Sequence, residues 1–501
     1  MDEVQIKMKT PISLTMDESL YTRLREHLFP GDGDEHGAVI VAGIAESARG
    51  TRLLARDLFL AEDGTDYVPG TRGYRALTAR FVAEKAGYCA DEKLCYLAVH
   101  CHGGDNQVAF SGDDMASHER GYPALLDITR GGPVGALVFA DNAVAGDIWT
   151  SQGRFELSHA TIIGPQVIRL YPAPAASPRR ADVVFDRHAR LFGDVGQDIL
   201  SQLKVGIIGL GGGGSLVNEW LSRLGVGHIV AVDFDRVDVT NLPRVVGATR
   251  FDALTLLTQS RYIWLQQLGK RLARHKVHVA RRVARQANPH IRFDAVVGSV
   301  LDEDVARMLT DVDFLFLASD TIQSRRVFNA LVHQYLIPGA QVGAKVSVDR
   351  ATGKIEDIFV ATRPVLPRPG AGCLQCHDLI PAAMLAQEAL SEEERRRQRY
   401  VDDDHVVQPS VITLNVLSAA QAVNDLMMMF TDLFRQGVSL HYQIGFVRER
   451  AVCSVEPRAE AGCLHCSSTP KSRRARGDRA RLPCRAAEAI PRGGSAQPLS
   501  S

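Results

Sequence analysis

The sequence predicts an α/β fold in two domains, and three observations support this prediction. The chain has 501 residues, enough for two or three domains of roughly 100–200 residues each. Short apolar runs alternate with helical segments in both halves, which is typical of α/β proteins. A segment at residues 171–181 with three prolines separates the halves and predicts a linker.

The first half, residues 1–170, is predicted to form one α/β domain. Its predicted strands lie at residues 38–42, 94–99 and 135–140. Its predicted helices lie at residues 74–87 and 113–128. The predicted strand at residues 94–99 places His100 at its end.

The second half, residues 182–466, begins with a strand at 205–208, a glycine-rich turn, a helix at 215–224 and a strand at 229–232. This order is typical of the first unit of a parallel nucleotide-binding sheet. Further helices are predicted at 272–287 and 415–430, and further strands at 291–297, 314–318, 341–348 and 355–361. Residues 467–501 are rich in Pro, Arg, Ser and Gly, which predicts a disordered tail.

Composition excludes several classes of protein. Lys plus Arg and Asp plus Glu number 58 each, so the zero net charge predicts neither a nucleic-acid nor a membrane partner. No apolar run approaches the roughly 18 residues of a membrane span, and Met1-Asp2-Glu3 lacks the start of a signal peptide, so we expect a cytoplasmic protein. Nine cysteines, an odd number, argue against a disulfide framework.

The glycine-rich turn predicts an anion site. Glycines between a strand and a helix let the backbone approach a phosphate, and they aim helix N–H groups at it. The glycines concerned are Gly209, Gly211, Gly212 and Gly214. By themselves they also fit a tight turn or an ordinary dinucleotide site, where Asp233 would hold a ribose hydroxyl.

The residues that follow favour a different nucleotide chemistry. Asp233 and Asp235 lead into Asn241-Leu242-Pro243-Arg244, which resembles the family of ThiF, MoeB, HesA and the ubiquitin-activating enzymes. The resemblance covers residues 185–430. Further matching positions are Arg187, Lys276 twelve residues before Asn288, Asp320, Arg325 and Asn415.

The resemblance implies ATP-dependent adenylation of the C-terminal carboxylate of a ubiquitin-like protein. Arg244 and Lys276 would neutralise phosphate charge, Asn241 would donate a hydrogen bond, and Asp320 would hold Mg²⁺. Asp233 would bind the ribose, with Asp235 and Arg325 as further nucleotide-binding residues. In the family the arginine matching Arg187 reaches across a dimer, so a homodimer is expected. Residues 248–269 are an insertion relative to the family and predict an extra helix at the mouth of the site.

Two Cys-x-x-Cys pairs predict a structural zinc site. Cys373, Cys376, Cys463 and Cys466 supply four thiolates, which leave no open position for water. Many bacterial members of the family have a matching zinc. Residues 377–452 contain no cysteine to form a thioester, leaving Cys453, expected to be buried or beside the zinc, and Cys484 in the predicted tail.

A second metal site is predicted in the first domain. His100 and His102 alternate at a strand end, so both imidazoles face one side. With Asp114 as third ligand, a zinc ion would keep one position for water. Glu35 is the candidate base for that water, Glu46 is its rival, and Ser111 would stabilise an oxyanion.

This pattern resembles the JAB (JAMM or MPN) metalloproteases, which cleave bonds after ubiquitin-like C-termini. The spacing from His102 to Ser111 is one residue longer than is usual there, and Gly103-Gly104 replaces a common proline. The union of both resemblances predicts a bifunctional bacterial-type enzyme that trims or removes a ubiquitin-like protein and adenylates it, with a conjugating enzyme as a further partner. The alternatives are a sulfur-carrier activator that leads to a thiocarboxylate, a binding module with an inactive hydrolase half, and a nicotinamide oxidoreductase.

Overall fold

The computed structural model describes residues 8–70, 75–349, 352, 354–389 and 409–485. These residues form two eight-stranded sheets, each with its own helices, so the predicted α/β fold class is confirmed. The first sheet with its helices is called the N-terminal domain, and the second sheet with its helices is called the C-terminal domain.

The N-terminal sheet closes on itself. Its strands are β1 (Ile12–Asp17), β2 (Gly37–Ser47), β3 (Gly50–Leu60), β4 (Cys95–Cys101), β5 (Val134–Phe139), β6 (Val144–Thr150), β7 (Gly153–Ile163) and β8 (Val167–Leu170). Its helices are α1 (Glu18–Leu28), α2 (Ala79–Glu92) and α3 (Gly112–Ile128). The order is β1-β3-β2-β4-β5-β6-β7-β8, and β1 also pairs with β7, which closes the ring. Alternate side chains of β2 and β4 fill the interior with α1, and the others lie under α2 and α3.

Helix α2 differs from the prediction of a helix ending at Gly87. Its start is fixed by Thr78, whose hydroxyl accepts a hydrogen bond from the first turn, and it runs through Gly87 to Glu92. Lys93, at φ 56°, ends it. A glycine inside a helix costs only about 1 kcal/mol, which burial of one helix face offsets here. Tyr74, where the predicted helix began, lies outside the described residues.

The C-terminal sheet is parallel at one side and antiparallel at the other. Its strands are β9 (Lys204–Ile208), β10 (His228–Val232), β11 (Arg292–Val296), β12 (Phe314–Leu317), β13 (Gly339–Val348), β14 (Ile355–Val365), β15 (Tyr442–Phe446) and β16 (Ala451–Val455). The order is β11-β10-β9-β12-β13-β14-β15-β16, with β9 to β13 parallel and the remaining pairs antiparallel. The chain adds β10 and β11 on one side of β9 and then β12 on the other. Ligands bind at such a switch point, outside the carboxyl ends of the strands.

Helices cover both faces of this sheet. They are α4 (Asp186–Gln202), α5 (Gly212–Arg223), α6 (Thr255–Thr258), α7 (Ile263–Leu272), α8 (Lys276–Ala287), α9 (Glu303–Arg307), α10 (Ile322–Tyr335), α11 (Ala382–Ala389) and α12 (Ile412–Phe430). Helices α5, α8 and α12 bury apolar side chains on one face, and α10 does so on the other. In the part of the chain that the structure describes, none of the helices has the length and apolarity to cross a membrane.

Three helices of this domain differ from the predictions, and one of them, α12, begins at Ile412 rather than at residue 415. Helix α5 begins at Gly212, inside the glycine-rich turn, rather than at Ser215. The helix predicted over 272–287 is broken between α7 and α8, because Val237 N donates to Arg274 O at 2.8 Å and holds this link extended.

Residues 467–485, which we call the C-terminal strap, were predicted to be disordered, and this prediction is wrong for the strap. Arg474 is 2% exposed, and its Nη1 lies 3.2 Å from Asp17 Oδ2 in the N-terminal domain. The equally buried Arg56 donates to the carbonyl of Thr469 at 2.8 Å. The strap arginines were predicted to lie in a solvated tail, but Arg474 instead enters a buried ion pair, because a charge in the interior must be paired or hydrogen-bonded. Residues 486–501 lie outside the described residues.

The N-terminal domain also contacts the amino ends of the second sheet. Arg49, in the turn between β2 and β3, donates to Asp313 Oδ2 at 2.9 Å. Asp313 precedes β12 and also accepts from Lys204 N at 2.8 Å. The switch point is at the opposite, carboxyl ends of these strands, so the domain contact leaves it free.

Asp425 in α12 provides a test of this packing. Burial raises the pKa of its carboxyl to about 6, although Gln421 donates to it at 2.9 Å. The pKa of Asp425 is higher in the folded protein than in the unfolded chain. The free energy of unfolding therefore falls as the pH rises from the ordinary value of about 3.8 to about 6, because the folded state must then bury a charged carboxylate. Asp425→Asn should therefore raise the free energy of unfolding by about 2 kcal/mol at pH 7.5 and by only about a third as much at pH 4.5, which lies between the unfolded and folded pKa values. Denaturant unfolding at both pH values tests this; equal effects would contradict it.

Candidate functional site

The structure brings the predicted hydrolase ligands together on the N-terminal sheet. Strand β4 carries His100 and leads to His102, and the first turn of α3 carries Asp114. His100 Nε2 and His102 Nε2 are 3.2 Å apart. They lie 3.5 Å and 3.3 Å from the two Asp114 oxygens. A tetrahedral zinc with bonds of about 2.1 Å separates its nitrogen and oxygen ligands by about 3.4 Å, so this triad fits zinc.

Hydrogen bonds fix these ligands. His102 Nδ1 lies 3.1 Å from the Ala109 carbonyl, which selects the tautomer with a free Nε2 lone pair. Ser111, the predicted oxyanion stabiliser, donates its hydroxyl to Asp114 at 2.7 Å and caps α3. Burial opposes ionisation of Asp114, but the hydrogen bonds from His100 and Ser111 outweigh it and lower the pKa of Asp114. The extra residue between His102 and Ser111 therefore does not separate the ligands.

The two candidate bases lie at opposite ends of β2. Glu35 precedes β2, and its Oε1 is 3.9 Å from His102 Nε2. Glu46 is near the other end, where its backbone N–H donates to Asp478 of the strap at 2.8 Å. Nine residues of strand separate Glu46 from Gly37, which pairs with His100, a distance of about 30 Å. Geometry thus favours Glu35 over Glu46 at this site.

The glycine-rich turn lies at the switch point of the C-terminal sheet. Gly209 has φ +88°, and a Cβ at Gly214 would lie 1.9 Å from the Gly209 carbonyl, so both positions require glycine. Gly211 caps α5, whose first N–H groups face the turn. A Cβ at Gly209 would lie 3.0 Å from Ala318 at the end of β12, so the turn fills the space between β9 and β12. This arrangement leaves backbone donors free for an anion.

Acidic side chains at the end of β10 border this turn. The Asp233 carboxylate accepts from Leu210 N at 2.6 Å and from Asp235 N at 2.7 Å. Burial raises the pKa of Asp233 above its ordinary value. A carboxylate has about four acceptor positions, so two remain for a ribose hydroxyl. Asp235 forms an ion pair with Lys276 at 2.7 Å, which places the lysine beside the same crevice.

The remaining predicted residues surround the crevice more loosely. Asn241 is buried and its side-chain oxygen accepts from Asp238 N at 3.1 Å, which holds the loop. The Arg244 carbonyl is 3.6 Å from the Cβ position of Gly212, so this loop lies along the glycine turn. Asp320 is exposed just after β12, and Arg325 of α10 donates to the Leu379 carbonyl at 3.2 Å.

Arg187 is the predicted residue that the structure does not bring to the crevice. It is exposed on α4, next to Phe185, which packs at Gly225 beyond the far end of α5. Helix α5 has 12 residues and is about 18 Å long. Arg187 is therefore separated from the glycine turn by the length of α5.

The four predicted zinc cysteines form one buried cluster. The Sγ atoms of Cys373 and Cys376 are 3.6 Å apart. Cys463 lies 3.7 Å from Cys373, and Cys466 lies 3.6 Å from Cys376. Tetrahedral zinc with bonds of about 2.3 Å separates its sulfur ligands by about 3.8 Å, so the cluster fits zinc and leaves no position for a substrate.

Comparison with known proteins agrees with this geometry in the C-terminal domain. Residues 185–431 match the model of the ThiF family. This segment is a ThiF-family domain. Similar proteins include the molybdopterin-synthase adenylyltransferase of Haemophilus influenzae, 28% identical over 143 residues, covering 28% of this chain and 51% of the relative. The sulfur carrier protein adenylyltransferase of Thermus thermophilus is 28% identical over 213 residues, covering 40% and 72%.

A relative of different activity is equally similar. The tRNA threonylcarbamoyladenosine dehydratase of Escherichia coli is 29% identical over 160 residues, covering 32% of this chain and 53% of the relative. The chain spans about half the length of the first curated relatives. The ThiF match begins at residue 185, so the N-terminal domain lies outside it.

Three features of the C-terminal half of the chain bear on the sequence predictions. The insertion at 248–269 contains helical structure, α6 and most of α7, as predicted. Cys453 was expected to be buried or beside the zinc, and it is exposed on β16, the last strand of the sheet. Cys484 is partly buried against the Val300 carbonyl, and burial raises the pKa of its thiol to about 12, which disfavours a nucleophilic thiolate.

The sequence analysis missed a buried polar group beside the first site. His118 Nδ1 lies 2.8 Å from Asp147 Oδ2, and both residues are buried. The signal was available, because His118 follows Asp114 by four residues and so shares its helix face. Nothing in the sequence indicated that Asp147 would face it.

Both clusters predict a metal content that can be measured. The purified chain should hold two zinc ions, since each ligand set has zinc spacing. The double substitution C463S/C466S should remove one equivalent, and His102→Ala should remove the other. Elemental analysis after gel filtration measures this; a wild-type content of one equivalent would contradict the second site.

Proposed function

We propose that the ThiF domain adenylates the C-terminal glycine carboxylate of a small ubiquitin-like or sulfur-carrier protein, with ATP and Mg²⁺. The observation that carries this proposal is the crevice at the switch point, where the glycine turn, Asp233 and Lys276 meet. The names of the two relatives that adenylate support the activity. The dehydratase has similar identity, so the substrate class must be tested directly.

In the proposed reaction a carboxylate oxygen bonds to the α-phosphorus of ATP, and the bond to pyrophosphate breaks. Two anions must approach each other, so positive charge is needed. Lys276 and Arg244 would neutralise phosphate charge, and the first N–H groups of α5 would bind phosphate oxygens. Asp233 would hold the ribose, and Asp320 would hold the Mg²⁺ that screens the pyrophosphate.

Arg187 would contribute through a second copy of the chain. The crevice of the same chain lies at the opposite end of α5 from Arg187. An active role for Arg187 therefore requires a dimer, in which it would reach the crevice of the second copy. Exposed apolar side chains on α4 and just before it support a homodimer contact there: Val183, Val184, Leu191 and Val195.

For the N-terminal domain we propose a zinc-dependent peptidase or isopeptidase of the JAB type that trims or removes the same carrier. The triad of His100, His102 and Asp114 carries this proposal, because its spacing fits zinc and leaves one position open. Bound zinc would lower the pKa of a water molecule. Glu35 would accept the water proton and return it to the leaving amine.

The cysteines favour direct use of the adenylate, as in a sulfur-carrier activator. Among the described residues, Cys453 lies exposed on an edge strand and Cys484 is held against Val300. Neither lies on a helix or loop bordering the crevice. A conjugating enzyme would therefore have to accept the carrier without a thioester on a well-placed cysteine of this chain.

Pyrophosphate exchange tests the adenylation proposal. With ATP, Mg²⁺ and a panel of small ubiquitin-like proteins ending in glycine, the wild type should exchange labelled pyrophosphate into ATP. Asp320→Ala should reduce exchange by more than about 100-fold, because metal charge stabilises the leaving group. Asp304→Ala, another exposed aspartate, is the control. Wild-type protein that exchanges with no member of the panel would refute the proposal.

Cleavage of a carrier fused at its C-terminal glycine to a fluorescent peptide tests the hydrolase proposal. Glu35→Gln should slow cleavage by about 10²–10⁴-fold, the usual contribution of a general base. Glu46→Gln, at the other end of β2, should leave the rate unchanged. An unaffected rate in Glu35→Gln would rule out this base.

A further inference from the structure

Helix α3 is held on the N-terminal sheet by polar as well as apolar side chains. Its buried residues are Asp114, His118, Tyr122 and Leu125, so three successive turns place a polar group against the sheet. Asp114 reaches the histidine pair, and His118 reaches Asp147. Tyr122 and Leu125 join the apolar layer under the helix, so the polar contacts of Asp114 and His118 add direction to the first two turns.

The sheet presents Asp147 on the face that carries His100. In the strand register His100 pairs with Val138 of β5, and Val138 pairs with Ala145 of β6. Asp147 is two residues beyond Ala145, on the same face. The metal ligand and the partner of His118 therefore belong to one surface, which α3 covers.

Asp147 is itself held by several donors. Trp149 Nε1 donates to its Oδ2 at 2.9 Å, and Arg154 Nε donates to its Oδ1 at 2.5 Å. Burial opposes its ionisation, but His118, Trp149 and Arg154 together lower its pKa. Asp147 is thus a fixed, charged acceptor for His118.

Aromatic contacts connect His118 to the histidine ligands. The His118 ring stacks on Tyr122 at 4.7 Å and meets the edge of Phe110 at 4.9 Å. Phe110 lies 6.0 Å from the ring of His100. His118 therefore lies on the helix that carries Asp114, and it contacts Phe110, the side chain that borders His100.

We propose that the His118–Asp147 pair positions Asp114 for zinc binding at the His100–His102 site. This inference rests on the metal site of the proposed hydrolase and adds two positioning residues to it. The pair fixes the turn of α3 that follows Asp114, so the carboxylate faces both imidazoles before the ion binds. Loss of the pair leaves the ligands in place along the chain but lets their spacing vary.

Zinc binding by the full-length chain tests this inference without any protein substrate. Competition with a chromogenic chelator measures the affinity of the second zinc equivalent. His118→Ala should weaken it on the order of tenfold, the low end of the range for groups that orient metal ligands. His118→Gln, which can still donate to Asp147, should recover most of the affinity. His228→Gln disturbs a comparable pair, His228 with Asp294 at 2.7 Å in the other domain, and should have no effect.

Two further measurements distinguish a positioning role of His118 from a contribution to folding stability alone. Cobalt bound at the second site should show altered visible bands in His118→Ala, because the ligand geometry changes. With the cysteine site already loaded, the further rise in Tm caused by the second zinc equivalent should shrink in His118→Ala and be absent in His102→Ala. An affinity within twofold of wild type in His118→Ala overturns the inference, even if Tm falls. A wild-type chain that binds one zinc overturns both the inference and the hydrolase proposal. If His118→Ala weakens zinc binding but the wild type cleaves no carrier fusion, only the hydrolase proposal is overturned.

Discussion

The buried ion pair between Asp17 and Arg474 joins the two domains of this chain. Both side chains are removed from water, and each would be costly to bury alone, so the pair holds only one arrangement of the strap against the N-terminal domain. Arg56 adds to this constraint, because it donates to strap carbonyls from the same interior. The strap follows directly from Cys466, so the cluster of four cysteines fixes its other end.

This connection determines where the two candidate sites lie. The strap binds the N-terminal domain, and Arg49 of that domain binds Asp313 at the amino end of β12. The nucleotide crevice lies at the opposite, carboxyl ends of the parallel strands. In the N-terminal domain the histidine site lies at one end of β2, and the strap contacts the other end. The two sites therefore face away from the domain contact, and within the described residues neither site includes a residue of the other domain.

Polar groups give each site a direction that apolar packing alone does not give. In the crevice, Asp233 accepts two backbone N–H groups and so fixes the glycine turn against β10. In the N-terminal domain, His118 and Asp147 fix the helix that carries Asp114. A hydrogen bond specifies direction as well as distance, which suits a site whose ligands must converge on one point.

The sequence by itself determined the elements that have strong local signals. The glycine turn, the paired cysteines and the alternating histidines were predictable, because each chemistry requires particular residue types at particular spacings. The α/β class followed from apolar periodicity, although the boundaries of α2, α5 and α8 did not, since caps and backbone hydrogen bonds decide them. Tertiary structure alone decided the order of the strap. The strap arginines resemble a solvated tail, and only Asp17 and the Arg56 carbonyl, hundreds of residues away in the chain, make the burial of Arg474 favourable. The same holds for His118, whose partner Asp147 is supplied by a strand that no local pattern places beside it.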